Sequence, residues 1–162
     1  MICYWLFILF LAYNSKIEYT MGHNVLTNVA YGKSVRQSTD FRWGSVPDNA
    51  VNGIFTDFTH TDLEKNPWIR IDLGRNYTIH EVEVFGRRGC CVERLHDVDI
   101  RVGNDLHDMH LCGHFTGSCT RSGERIAVFC PFNTFGRYVK IQIMEGWNNY
   151  LSVAEVLVWG RL

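Results

Sequence analysis

The chain has 162 residues, enough for one domain with a substantial buried core. Its formal net charge of −1, with 20% charged residues, offers no global attraction to nucleic acid or to an anionic membrane. Aromatic residues reach 14% and include five Trp, which favours a β-rich fold or a stacking surface.

Residues 2–13, Ile-Cys-Tyr-Trp-Leu-Phe-Ile-Leu-Phe-Leu-Ala-Tyr, form an almost unbroken apolar run. A bilayer span needs about 17–25 residues, so the run is read as the hydrophobic region of a secretory signal over 1–15, cleaved near Ser15. No basic side chain precedes it and no clean small-x-small site follows, which leaves a signal anchor as the alternative. A polar lead-in over 16–27 and a stretch rich in turn formers from Ser38 to Asn52 come next.

From Pro67 onward the hydrophobic period becomes two. Ile69, Ile71 and Leu73 share one face, and Val82 and Val84 alternate with Glu81 and Glu83. Val98, Ile100 and Val102 alternate with Asp97, Asp99 and Arg101. Val139, Ile141 and Ile143 follow the same pattern, and Val153–Trp159 closes the chain. Turn residues bound most of these short runs, and no long segment keeps a 3.6-residue period. The expected fold is all-β, an antiparallel β-sandwich filling residues 28–162.

Within the run Phe85-Gly-Arg87-Arg88-Gly89-Cys90-Cys91-Val-Glu93-Arg94, two cysteines are adjacent. A bond between them would close a strained ring, since neighbouring Cα atoms lie about 3.8 Å apart and a relaxed disulfide prefers about 4.4–6.8 Å. It would add almost nothing to stability but would make a stiff apolar plate flanked by arginines, a suitable surface for a sugar ring. Two separate bridges diverging from one corner are the other reading. Removal of a signal with Cys3 leaves Cys90, Cys91, Cys112, Cys119 and Cys130, an odd number. At least one of them therefore stays free, pairs between chains or is capped. Asn76-Tyr77-Thr78 is a glycosylation sequon in an expected turn.

Taken together, Asn28–Ser38, the Thr59-His60-Thr61 segment, Asn66-Pro67-Trp68-Ile-Arg-Ile-Asp72-Leu73, the Cys-Cys-x-Glu-Arg run and Gly136-Arg-Tyr-Val139 resemble the F-type lectins, the fucolectin family. The resemblance covers about Asn28 to Trp159 and implies a jelly-roll sandwich of the galactose-binding or discoidin-like kind. It places the sugar site at His60, Arg87 and Arg94, with a Cys90–Cys91 disulfide as the plate and Phe41 or Trp43 as an apolar wall. It implies a Cys112–Cys130 bridge that leaves Cys119 as the odd thiol, able to link a covalent dimer, a further family bridge replaced on both sides by Phe58 and Ala154, and terminal L-fucose on glycans or glycoproteins as the ligand. A Ca²⁺ ion would be held by Asn49, Asn52, Ile54, Asp57, Ala154 and Glu155, an oxygen-rich set suited to a hard cation. One departure stands out: Gly89 replaces the family's Asp two residues after the first Arg, weakening or shifting sugar choice, with a sulfated glycan as one outcome.

The expected protein is secreted and extracellular, oligomeric, without nucleic-acid partners or membrane insertion, and acts by binding in agglutination or innate immunity. Catalysis is not expected: the site carries arginines where a glycosidase needs two carboxylates, and Glu93 is read as an ion-pair partner of Arg87 or Arg94. His107, His110 and His114 with Cys112 are read as a solvated loop rather than a zinc site. The rival reading is a discoidin-like adhesion module for protein, lipid or sulfated glycan.

Overall fold

The computed structural model describes residues 25–41 and 46–162. The apolar run at 2–13, the cleavage region and Trp43 lie outside the described residues, as does all but the end of the lead-in.

Among the described residues nine strands form: β1 (Thr27–Asn28), β2 (Ser34–Gln37), β3 (Thr59–His60), β4 (Trp68–Gly86), β5 (His96–Gly103), β6 (Met109–Ser118), β7 (Arg125–Phe129), β8 (Phe135–Ile143) and β9 (Ser152–Arg161). Every strand pairing is antiparallel. Hydrogen bonding is continuous because β4 serves both layers of the sandwich. Its first part, Trp68–Asp72, lies between β2 and β8, and its last part, Glu81–Phe85, lies between β7 and β9.

The two β4 stretches that alternate separately in the sequence are thus one strand, bent where the register slips between Asp72 and Tyr77. Gly74 at the bend has φ +84°, a left-handed value that favours glycine. Its N–H donates to Asp72 Oδ1 at 2.8 Å, and Arg137 grips the same carboxylate through two bonds of 2.7 and 2.8 Å. Asn76 of the sequon sits exposed on this bend.

Both halves of β4 send alternate residues into one core. Ile69, Ile71, Leu73, Val82 and Val84 pack there with Ile100, Ile141, Val156 and Val158. A second layer must close over this sheet because both halves of β4, together with β5, β8 and β9, each carry an apolar face. The strands expected at 98–102, 139–143 and 153–159 all form, extended by a few residues.

Within the histidine-rich stretch His107 lies in the bend before β6, whereas His110, Cys112 and His114 are in strand rather than loop, since β6 pairs with β5 and sets His114 opposite Asp99. Its mixed, mostly exposed side chains hide the two-residue period. Cys112 and Cys130 are bonded, tying β6 to the end of β7. Cys119 is a free thiol, but it is only 2% exposed and burial pushes its pKa up to about 11. The expectation of a Cys119-linked dimer is therefore corrected: the sulfur faces the core, not a partner.

A candidate sugar-binding cradle

Three loop-borne segments converge on His60. β3 pairs with β9 through His60↔Ser152, which carries the imidazole to the rim of the sandwich. β4 ends at Gly86, so Arg87 emerges at the same rim, and a 3-10 turn over Val92–Arg94 returns Arg94 toward it. Tyr150 immediately precedes β9.

The imidazole is fixed on both edges. Its Nδ1 lies 2.6 Å from the Thr61 carbonyl, which can only accept, so Nδ1 carries the proton. Nε2 is left as an acceptor and receives Arg94 Nη1 at 2.8 Å. Burial foremost, aided by the Arg94 and Arg87 charges and opposed by the Thr61 hydrogen bond, holds the His60 pKa below the ordinary histidine value. The geometry makes the imidazole a neutral acceptor facing the Arg94 donor.

Aromatic rings brace the polar groups. The Arg87 guanidinium lies 4.0 Å over Phe58, and that of Arg94 lies 4.4 Å over Tyr150. Phe41 and Tyr150 flank the His60 ring at centroid distances of 4.5 and 5.3 Å. Stacking of this kind holds a guanidinium face while leaving N–H donors at its edge. Arg87 Nε is buried without a hydrogen-bond partner. Behind the cradle, Gln37 hydrogen-bonds Thr59 Oγ1 and donates to the His60 carbonyl, locking β3 against β2.

His60, Arg94 and Phe41 thus meet directly, with Arg87 close enough to lower the imidazole pKa. Phe58 and Tyr150 complete the arrangement, roles that reading the sequence alone did not assign. Phe58 had a usable signal, since it precedes His60 by two residues and a strand places such residues on one face. Glu93 pairs with neither arginine: among the described residues, no ion pair includes Glu93, Arg87 or Arg94. The two guanidiniums keep their charge uncompensated because aromatic faces, not carboxylates, hold them.

Cys90 and Cys91 lie at the cradle's edge as thiols with sulfurs 2.6 Å apart, so the expected disulfide is not formed in this structure. The Arg87 and Arg94 charges lie close to the Cys90 sulfur. Cys91 adopts φ +66° and Gly89 φ +91°. The glycine at 89 therefore suits its backbone, which an Asp would strain. Its N–H donates to Ser122 Oγ at 3.0 Å.

The oxygen-rich loop lies against the last strand. Asn52 Nδ2 donates to Asp57 Oδ2 at 2.9 Å, Asn52 Oδ1 accepts from Ile54 N–H at 2.8 Å, and Asn49 Nδ2 donates to the Phe58 carbonyl at 3.3 Å. Glu155 is fully buried beside buried Ala154, and one oxygen accepts from Gly53 N–H at 3.1 Å. Asp57 Oδ1 and Glu155 Oε1 are both buried without partners. Burial, with the Asp57 charge adding to it, pushes the Glu155 pKa up to about 7. No group of three or more His, Cys, Asp or Glu forms a metal cluster among the described residues, so amide and carbonyl oxygens would supply the remaining ligands. Two unanswered carboxylate oxygens facing one loop fit a hard divalent cation.

An antiparallel sandwich with a polar cradle at its loop rim is the architecture of galactose-binding-like domains. The family model described as the NedA-like, galactose-binding domain matches residues 49–141. The relatives narrow this further. The chain is 30% identical over 145 residues to fucolectin from Anguilla anguilla, covering 81% of this chain and 90% of that protein. It superposes with a TM-score of 0.76 on an F-lectin (fucolectin) from striped bass (Morone saxatilis) serum, at 29% identity, covering 83% of this chain and 49% of that one. The lectin domain of lectinolysin, solved with Lewis B antigen, superposes with a TM-score of 0.70 at 29% identity, covering 82% of this chain and 95% of that one. This chain belongs to the F-type lectin, or fucolectin, family. It spans about half the length of the striped bass protein.

Proposed function

We propose that this protein is a secreted, calcium-stabilised, non-catalytic lectin for terminal L-fucose or a closely similar sugar on glycans and glycoproteins. The observation that carries this reading is the convergence of His60, Arg87 and Arg94 on one rim, braced by rings rather than neutralised by acids. Guanidinium N–H groups donate to vicinal sugar hydroxyls, while His60 Nε2, whose lone pair accepts from Arg94, holds that guanidinium in position. Phe41 and Tyr150 offer an apolar wall for the fucose methyl group. The names of the relatives, and the Lewis B complex of the lectinolysin lectin domain, support the same ligand class.

In an oxidising compartment the adjacent thiols would lose two protons and two electrons to a disulfide oxidant and bond into the apolar plate. Asp57 and Glu155, with the amide and carbonyl oxygens of Asn49, Asn52, Ile54 and Ala154, would hold Ca²⁺. The ion would supply charge that answers the two buried carboxylates and ties the loop before β3 to β9. No residue of the cradle is placed for glycosidic cleavage. A single-site affinity of about 1 mM to 1 µM is expected, so multivalent display through a homo-oligomer, raising avidity by about 10²–10⁴, would support agglutination or recognition of microbial surfaces.

Titration of L-fucose into the protein, with Ca²⁺ and then with EDTA, against galactose tests the reading. Saturable fucose binding weakened by EDTA supports it. No binding to fucose under either condition overturns it and shifts attention to the adhesion-module alternative.

A further inference from the structure

A second cationic feature lies on the outer face of the sheet, separate from the cradle side chains. The register places Arg36 of β2 opposite Arg70 of β4, Arg70 opposite Lys140 of β8, and Lys140 opposite Arg101 of β5. Their chain neighbours Val35, Ile69, Ile71, Val139, Ile141, Ile100 and Val102 are buried, so all four cations share the solvent face. At about 4.8 Å per strand the row is about 14 Å long. Like charges directly opposite one another destabilise a sheet, and here three such pairs occur in succession.

Counter-charge is scarce within the row. Asp99 takes Arg101 at 2.9 Å and His114 at 2.8 Å, and Asp72 takes Arg137. Among the described residues no ion pair reaches Arg36, Arg70 or Lys140. Trp68 and Tyr138 stand beside the row, with Arg70 at 5.3 and 6.0 Å from their rings and Lys140 at 5.6 Å from Trp68. Burial foremost, with the Arg101 and Arg70 charges adding to it, lowers the Lys140 pKa. One end opens into a cleft of about 280 Å³ lined by Ser34, Arg36, Arg70, Asp72, Leu106 and Tyr138.

We propose that this row, Arg36–Arg70–Lys140–Arg101, binds a linear sulfated polysaccharide across the strands. The row is one residue wide and bounded by Asp72 on one side and Asp99 on the other, which suits a narrow polyanion and opposes a broad anionic membrane. The strands β4, β8 and β5 have both edges hydrogen-bonded, so an acidic peptide cannot add to them as a strand. Sulfate esters answer the unpaired guanidiniums with two-pronged hydrogen bonds, and sugar rings meet Trp68 and Tyr138.

The test is heparin binding by the full chain at an ionic strength of about 0.15 M, where exposed pairs are screened beyond about 8 Å. Wild type should bind. The Arg36→Gln/Arg70→Gln/Lys140→Gln variant should bind on the order of 10–100-fold more weakly, with no fall in melting temperature because repulsion is relieved. Arg94→Ala should bind heparin as wild type does, which separates this site from the fucose reading. Should the triple variant misfold, Arg36→Gln alone, at an exposed position, must still weaken binding. Absence of wild-type binding, an undiminished variant, or loss of heparin binding in Arg94→Ala overturns the proposal. Equal binding of duplex DNA or phosphatidylserine vesicles with the same dependence on the row also overturns it, by showing a site for polyanions in general.

Discussion

Replacing Arg94 tests the cradle most sharply, because one guanidinium has two separable duties. Of its five N–H donors, one engages His60 Nε2 at 2.8 Å, and the ring of Tyr150 lies 4.4 Å beneath the group. The remaining edge can make two charge-assisted hydrogen bonds to sugar, each about 1.5–3 kcal/mol. Arg94→Ala should therefore cost about 3–6 kcal/mol of binding, roughly 10²–10⁴-fold, which abolishes measurable affinity for a ligand in the expected range. Arg94→Lys keeps the charge but not the fork and should retain part of the binding. The assay is calorimetric titration with L-fucose, paired with nitrogen-detected NMR of the imidazole. Because Arg94 is one of the charges depressing the His60 pKa, that pKa should rise in Arg94→Ala. Wild-type fucose affinity in Arg94→Ala would refute the site, and an unmoved His60 pKa would refute the electrostatic coupling.

Further outcomes follow from the same structure. Fucose affinity should stay level as pH falls to the ordinary histidine value of 6.5 and drop only below it, because the depressed His60 pKa keeps its acceptor nitrogen neutral. The linked stability has the matching sign: the unfolded chain takes up the His60 proton first, so this contribution is complete above 6.5 and is lost as pH falls through the folded value, readable in urea melts across pH. Cys90→Ser with Cys91→Ser should lower fucose affinity while moving the melting temperature by no more than about 2 °C; a large stability loss with intact binding would contradict a binding role. Replacing Cys112 and Cys130 by Ala, which opens a separation of 18 residues, should cost about 3 kcal/mol in chemical denaturation. Added Ca²⁺ should raise the melting temperature of wild type, by the equivalent of about 2.7 kcal/mol at one hundred times its Kd, and should not do so in Glu155→Gln.

The alternation at 69–73, 82–84, 98–102, 139–143 and 153–159 determined an antiparallel sandwich, because a strand with one apolar face must bury it whatever its partner. His60, Arg87, Arg94 and the adjacent cysteines were singled out through the resemblance to the F-type lectins, and the fold brings His60 and Arg94 into direct contact. The sequence could not disclose that 68–86 is one bent strand, because a bend is set by register slip against β8 rather than by local pattern. It likewise concealed β6, whose exposed polar residues pair with β5 without a period to betray them. The brace of Phe58 and Tyr150 beneath the arginines, the acceptor state of His60 and the burial of Cys119 arise from segments distant in sequence. So does the cationic row across β2, β4, β8 and β5: each strand contributes one unremarkable basic residue, and only the strand register aligns them. Periodicity encodes which face a residue occupies, whereas long-range packing alone decides what faces it.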